Sequence, residues 1–175
     1  DPRRVFAYDI NNDSLMMSEN FGLQLVGKPI IFDIDDDQLP EVFISTLNNT
    51  NQGRLLPGKQ SQYSKSIVLN HNLNLLFEPL IFESQISVSS TFPVTDEMGN
   101  FIGSLSWPLR ENKISKLMIL DTEGNILKQK KLYKEQFTFD PKRLNWNKIL
   151  LFAKNGSISA LNSNLSTTQK INFSS

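Results

Sequence analysis

The sequence predicts an all-β fold, and three observations predict it. Alanine occurs only at Ala7, Ala153 and Ala160, while Asn and Ser are abundant, so helix formers are thin and turn formers dense. Apolar runs are short and are broken by polar turn clusters rather than spaced at a helical period. A pattern of apolar strand, short polar turn and second strand recurs along the chain.

In order, Val5–Asp9, the turn Asn11-Asn12-Asp13 and Ser14–Met17 form a first hairpin. Leu23–Val26 leads through Gly27-Lys28-Pro29 into an apolar segment, an acidic loop and the strand Val42–Thr46. Residues 48–64 are polar, carry Gly53, Pro57 and Gly58, and read as a long loop. Ser66–Asn70, His71-Asn72 and Leu73–Phe77 read as a second strand–turn–strand. Ile86–Phe92 begins with period-2 alternation, and a tight turn before Asn100 leads into Phe101–Trp107. Ile114–Asp121, a turn at Thr122–Asn125 and Ile126–Lys130 form a third hairpin, in which Gly124 supplies the positive φ that the turn wants. Leu144–Ala153, a turn at Lys154-Asn155-Gly156 and Ser157–Asn162 form another.

Four of these strands close on Asp or Asn: Asp9, Asn70, Asp121 and Asn162. The closing residues lie 61, 51 and 41 positions apart, a basic period near 40 lengthened by insertions such as the 48–64 loop. Four-stranded units at about 40–50 residues are the signature of propeller blades. The expected fold is therefore a β-propeller segment of about three to four blades of antiparallel strands, a single domain over residues 1–175. The opening Asp1-Pro2-Arg3-Arg4 reads as a cut within a longer protein that supplies the remaining blades. The simpler alternative is a β-sandwich of irregular hairpins.

Charge and composition narrow the function. Lys+Arg and Asp+Glu are both 18, which argues against nucleic acid or an anionic membrane surface as partner. No apolar run approaches the roughly 20 residues of a membrane span. Cysteine is absent, which removes disulfides and thiolate chemistry, and His71 is the one histidine.

The candidate site is the stretch Asp33-Ile34-Asp35-Asp36-Asp37-Gln38-Leu39-Pro40-Glu41. Alternate residues of a tight loop can turn Asp33, Asp35 and Asp37 inward together, the Leu39 carbonyl can add an oxygen, and Glu41 can close the shell. Carboxylates this close repel unless a cation joins them, and calcium takes six to eight such oxygens.

This stretch resembles the calcium loop of FG-GAP/VCBS repeats, found in propellers such as the integrin α head, although Gln38 stands where that family has Gly. The strand–Asp–turn repeat resembles that of quinoprotein-like (PQQ-type) propellers. The segment Ile30–Asp35 is also similar to the nucleophile motif of haloacid-dehalogenase phosphatases, with Asp33 as nucleophile and Asp35 as acid/base. That family has Thr or Val two residues on, where this chain has Asp37, and the crossover helices it needs are not in evidence.

His71 sits in a turn and reads as solvated. Trp107 and Trp146 read as packing between blades, with a sugar platform as the alternative. Lys128, Lys130, Lys131 and Lys134 read as a solvated strand face that discourages edge pairing.

The resemblances imply an extracytoplasmic protein, periplasmic or on the cell surface. The expected function is a non-enzymatic binding or interaction module for a protein or carbohydrate ligand. The sensor region of a bacterial receptor would fit, with calcium as a structural ion. The alternative is part of a propeller enzyme, quinoprotein-like or hydrolase, whose active residues lie outside this chain.

Overall fold

The computed structural model describes residues 3–49, 64–82, 86–108, 114–132, 142–144, 148–153 and 156–172. Every regular element among them is a β-strand. A hairpin comes first, β1 (Phe6–Asp9) with β2 (Ser14–Met17). Then β3 (Gln24–Phe32), β4 (Glu41–Asn49), β5 (Lys65–Leu69) and β6 (Leu80–Ile81) pair in sequence. So do β7 (Ile86–Asp96), β8 (Gly99–Pro108), β9 (Ser115–Leu120) and β10 (Ile126–Leu132). A third run consists of β11 (Lys142–Leu144), β12 (Lys148–Phe152), β13 (Ile158–Leu161) and β14 (Thr167–Ile171). The described chain is thus a hairpin followed by three four-stranded antiparallel meanders.

The first two meanders fuse. β4 pairs β5 as far as Ile44↔Ile67 and then pairs β7 from Thr46↔Ser89 onward, giving one eight-stranded sheet curled as a half-barrel. Where β4 leaves β5, the Thr46 hydroxyl replaces the ladder. It accepts from the Lys65 N–H at 2.9 Å and donates to the Lys65 carbonyl at 2.8 Å. Buried Ser64, Ser66, Ser87, Ser89 and Ser104 continue this seam, Ser64 bonding Ser87 at 2.6 Å and Ser66 bonding Ser104. Small hydroxyl side chains let the strands change partners without leaving backbone groups unpaired.

Three apolar clusters fill the interior, and each draws on two successive units, as period-2 alternation allows. Val5, Ala7 and Met16 of the hairpin pack against Ile44, Ile67, Leu69 and Leu73 of the first meander. Phe43 and Val68, on the opposite face of the same strands, pack against Ile102 and Leu120 of the second. Leu105, Leu117 and Ile119, on the other face of that meander, meet Ile149, Leu151 and Leu161 of the third. Trp107 is buried in this last cluster, as its sequence position implied.

Two expected strands differ. Leu73–Phe77 is not a strand: Leu75 makes a single bridge to Leu69, and β5 takes β6 as its partner instead. Leu76 still donates its N–H to the Val68 carbonyl at 2.9 Å, and Leu76 and Phe77 pack against the cluster with Phe43. The Leu144–Ala153 run is divided between β11 and β12, and Trp146 lies outside the described residues. Most of the 48–64 loop also lies outside them; Asn48 and Asn49 extend β4.

Candidate metal centre

The acidic loop joins β3 to β4, whose ladder closes at Phe32↔Glu41. The chain turns here through two left-handed residues, Asp36 (φ 61°) and Gln38 (φ 69°). Asp tolerates that region; Gln does so at a cost of about 1–2 kcal/mol. Carboxylates hold the loop. Asp33 accepts the Asp37 N–H at 3.2 Å and the Gln38 N–H at 2.9 Å. Asp35 accepts the Asp37 N–H at 3.3 Å, and Asp37 accepts the Leu39 N–H at 2.7 Å. Asp36 points elsewhere, accepting from the Asn100 amide at 3.2 Å at the start of β8.

The loop brings Asp33, Asp35 and Asp37 together, with one oxygen of each within 4.8 Å of the others. Glu41 is not part of that group. Leu39 contributes its N–H to Asp37, and Glu41 turns inward. Glu41 is 2% exposed and accepts the Ile34 N–H at 2.9 Å. Burial pushes its carboxyl above the usual range, the Ile34 N–H opposes this, and the charges of Asp35, Asp37 and Asp33 add to the rise. Glu41 therefore ties the loop base to the core. Its sequence position said "ligand" because spacing cannot tell which side of the strand mouth the side chain takes. Three carboxylates facing water at short range fit a hard, oxygen-seeking cation whose remaining positions are filled by water.

The Asp/Asn-closed turns follow one pattern. Asn70 accepts from the Asn72 and Asn74 N–H groups, Asp121 from those of Glu123 and Asn125, and Asn162 from that of Ser166. The fourth residue is left-handed each time: Leu73 (φ 60°), Gly124 (φ 87°) and Leu165 (φ 60°). Asp9 does the same work in a turn one residue longer, with Asp13 (φ 49°) in the left-handed position. His71 lies in the Asn70 turn, its ring nitrogen bonded to the Asn72 amide at 2.8 Å.

Sequence reasoning missed the Asp36–Asn100 bond and the reach of β10 toward the third meander. There Lys130 donates to the Leu165 carbonyl at 2.8 Å and Lys128 bonds Asn164. Alternating lysines on β10 were the available signal; they cap the next turn as well as blunting an edge. No protein-family model matches the chain, and no curated protein matches it. No helix among the described residues is long and apolar enough to cross a membrane.

Proposed function

We propose that the chain is a non-enzymatic, extracytoplasmic binding module of β-propeller type, its meanders being blades, with one structural calcium held by Asp33, Asp35 and Asp37. Blades that expose loops at their ends are suited to a protein or carbohydrate ligand, as in the sensor region of a bacterial receptor. Three features support the propeller reading: the succession of four-stranded meanders, the shared Asp/Asn turn, and clusters formed between successive units. The three-aspartate group carries the calcium reading. Three carboxylates at this range repel, and a divalent cation converts that repulsion into a brace across the β3–β4 connection.

Thermal melting under calcium titration tests it. Extracellular modules bind calcium at about 10⁻⁴–10⁻³ M, so ~10 mM should stabilise by roughly 1.4–2.7 kcal/mol, or about 3–10 °C. Asp35→Asn should remove most of that response while leaving the chain folded. A melting temperature indifferent both to millimolar calcium and to Asp35→Asn sinks the ion site.

A further inference from the structure

We infer that the fork where β4 parts from β7 is a binding site for one internal water molecule, held by the hydroxyls of Thr91, Ser104 and Ser66. The site belongs to the junction of the first two meanders and is independent of the calcium loop.

The strand register locates the fork. β4 and β7 pair from Asn49↔Ile86 to Thr46↔Ser89. Beyond that pair β4 runs beside β5, through Ile44↔Ile67, Phe43↔Val68 and Val42↔Leu69, while β7 continues with β8. Side chains alternate along a strand, so Thr91 is the next residue of β7 on the Ser89 face. It is the first on that face left without a β4 partner in the ladder. Its partner in β8 is Ser104, and on the same face Pro93 stands opposite Ile102. Ile102 packs against Phe43 and Val68 of the first meander, and Ser104 bonds Ser66 of β5. This face therefore looks into the junction between the two meanders.

The junction is buried, and its hydroxyls are almost all matched. Thr91 is 1% exposed, and Ser66 and Ser104 are 0% exposed. Thr46 meets Ser89 at 2.9 Å, Ser64 meets Ser87 at 2.6 Å and Ser45 bonds Ser90 at 3.3 Å. Thr91 is the exception. Its Oγ1 is buried and has no hydrogen-bond partner among the described residues. A buried hydroxyl left so forfeits its hydration with nothing in return.

Counting protons identifies the occupant. Ser66 and Ser104 carry two hydroxyl protons between them, and only one can lie between their oxygens. Neither hydroxyl has another acceptor among the described residues. The pair thus has one proton to give, and Thr91 on the neighbouring strand has another. What lies between them has to offer lone pairs to both, be small, and bring no net charge into a buried seam. Water meets all three conditions, and its own protons can return to the hydroxyl oxygens. Buried waters characteristically make two to four such bonds to polar groups that the protein leaves unmatched. The water extends the work of the Thr46 hydroxyl, which bonds both backbone groups of Lys65 where β4 changes partner. Hydroxyls and one water together replace the ladder across the fork.

Thr91→Val tests the site, because valine keeps the shape and removes the hydroxyl. The amplitude of water oxygen-17 relaxation dispersion counts water molecules held for longer than the protein tumbles. It should fall by one water in Thr91→Val and keep its wild-type value in Thr91→Ser. The melting temperature of Thr91→Val should fall by about 3–8 °C, since the water and the serine pair lose a partner. A hydroxyl with nothing bound to it predicts the opposite: valine, the better strand former, then raises the melting temperature. An amplitude unchanged in Thr91→Val overturns the proposal, and so does a melting temperature equal to or above wild type. Should Thr91→Val fail to fold, a crystal structure of the wild-type chain decides. A water within hydrogen-bond distance of Thr91 Oγ1 and Ser104 Oγ supports the site, and a fork without one overturns it.

Discussion

The acidic loop and the Asp121 turn solve one problem with different amounts of charge. In the turn, a single carboxylate accepts the N–H groups of Glu123 and Asn125 and the Asn125 amide, the last at 2.9 Å. That satisfies the local backbone. In the loop, three carboxylates gather round the N–H groups of Asp37, Gln38 and Leu39. The Asn70 and Asn162 turns show that even a neutral amide oxygen suffices for this capping. The loop therefore carries more negative charge than its hydrogen bonds require, and the proposed ion site rests on that surplus. Both also pass through a left-handed residue, but under different surroundings: Gly124 lies beneath the Phe77 ring, whereas Gln38 is exposed.

The largest expected effect comes from breaking this second contrast. A Cβ at Gly124 would meet Phe77 at 2.5 Å on a backbone of φ 87°. Gly124→Leu should cost about 2–4 kcal/mol, from left-handed strain plus overpacking, seen as a melting temperature lower by roughly 5–15 °C. Leucine is accepted at Leu73 and Leu165 because those side chains enter clusters that leave room for them. Loss of less than about 0.5 kcal/mol would mean that Phe77 does not rest on this turn. Next in size, Asp121→Ala should cost about 1 kcal/mol, since it strips the turn of its one capping carboxylate. Asp121→Asn should cost less, because Asn70 and Asn162 hold the same position. Denaturant unfolding of the two variants in parallel checks the order.

Much of this was legible in the sequence. Apolar runs closing on Asp or Asn gave the turns, and the polar clusters between runs located most strand ends. The spacing of Asp33, Asp35 and Asp37 gave the cluster, because residues two apart in a tight loop face one way. The inward turn of Glu41 was not legible, since a carboxylate at a strand start can face the loop or the core with the same spacing. The left-handed turn at Gln38 was legible only through the resemblance, which has Gly there; the local carboxylates hold it against the preference of glutamine. The change of partner by β4 hides in Thr46 and the serines beside it. Such residues read as ordinary exposed-face positions until the ladder they replace is seen.

The two regions should also part in their response to pH. Burial raises the Asp121 carboxyl, but the bonds from Asn125, Glu123 and Gly124 outweigh it and hold the group below its usual range. Its folded pKa is depressed, so its stabilisation is present above the unfolded value of about 3.9 and is lost as pH falls through the folded one. Glu41 has the opposite sign. Burial, with Asp35, Asp37 and Asp33, raises it against the pull of the Ile34 N–H. The folded state then holds the Glu41 proton more tightly than the unfolded state. Its contribution is complete below the unfolded value and is lost as pH rises through the folded one. Glu41→Gln keeps an acceptor for the Ile34 N–H and removes the charge. Melting temperatures from pH 3 to pH 7 without calcium should therefore fall less steeply on the neutral side in this variant. The acid limb should be unchanged. Asp121→Asn should do the reverse. A Glu41→Gln profile that parallels wild type would show that Glu41 sits in water.

The smallest effect sharpens the comparison most. Gln38→Gly relieves a left-handed backbone of about 1 kcal/mol, but glycine returns roughly 0.5–1 kcal/mol as extra freedom of the unfolded chain. The net gain without calcium should be a few tenths of a kcal/mol, near the limit of a denaturant titration. The informative quantity is the calcium response. A ligand shifts an equilibrium only by its differential affinity for the two states. Gln38 is left-handed, with its N–H on Asp33, and a loop held by these local bonds should keep the same turn with and without the ion. The substitution therefore removes the same strain from the free and bound loops, and calcium affinity should be the same in Gln38→Gly as in wild type. A tenfold gain in affinity would mean that the loop has to turn further to take the ion. The three aspartates would then form the site only as calcium arrives.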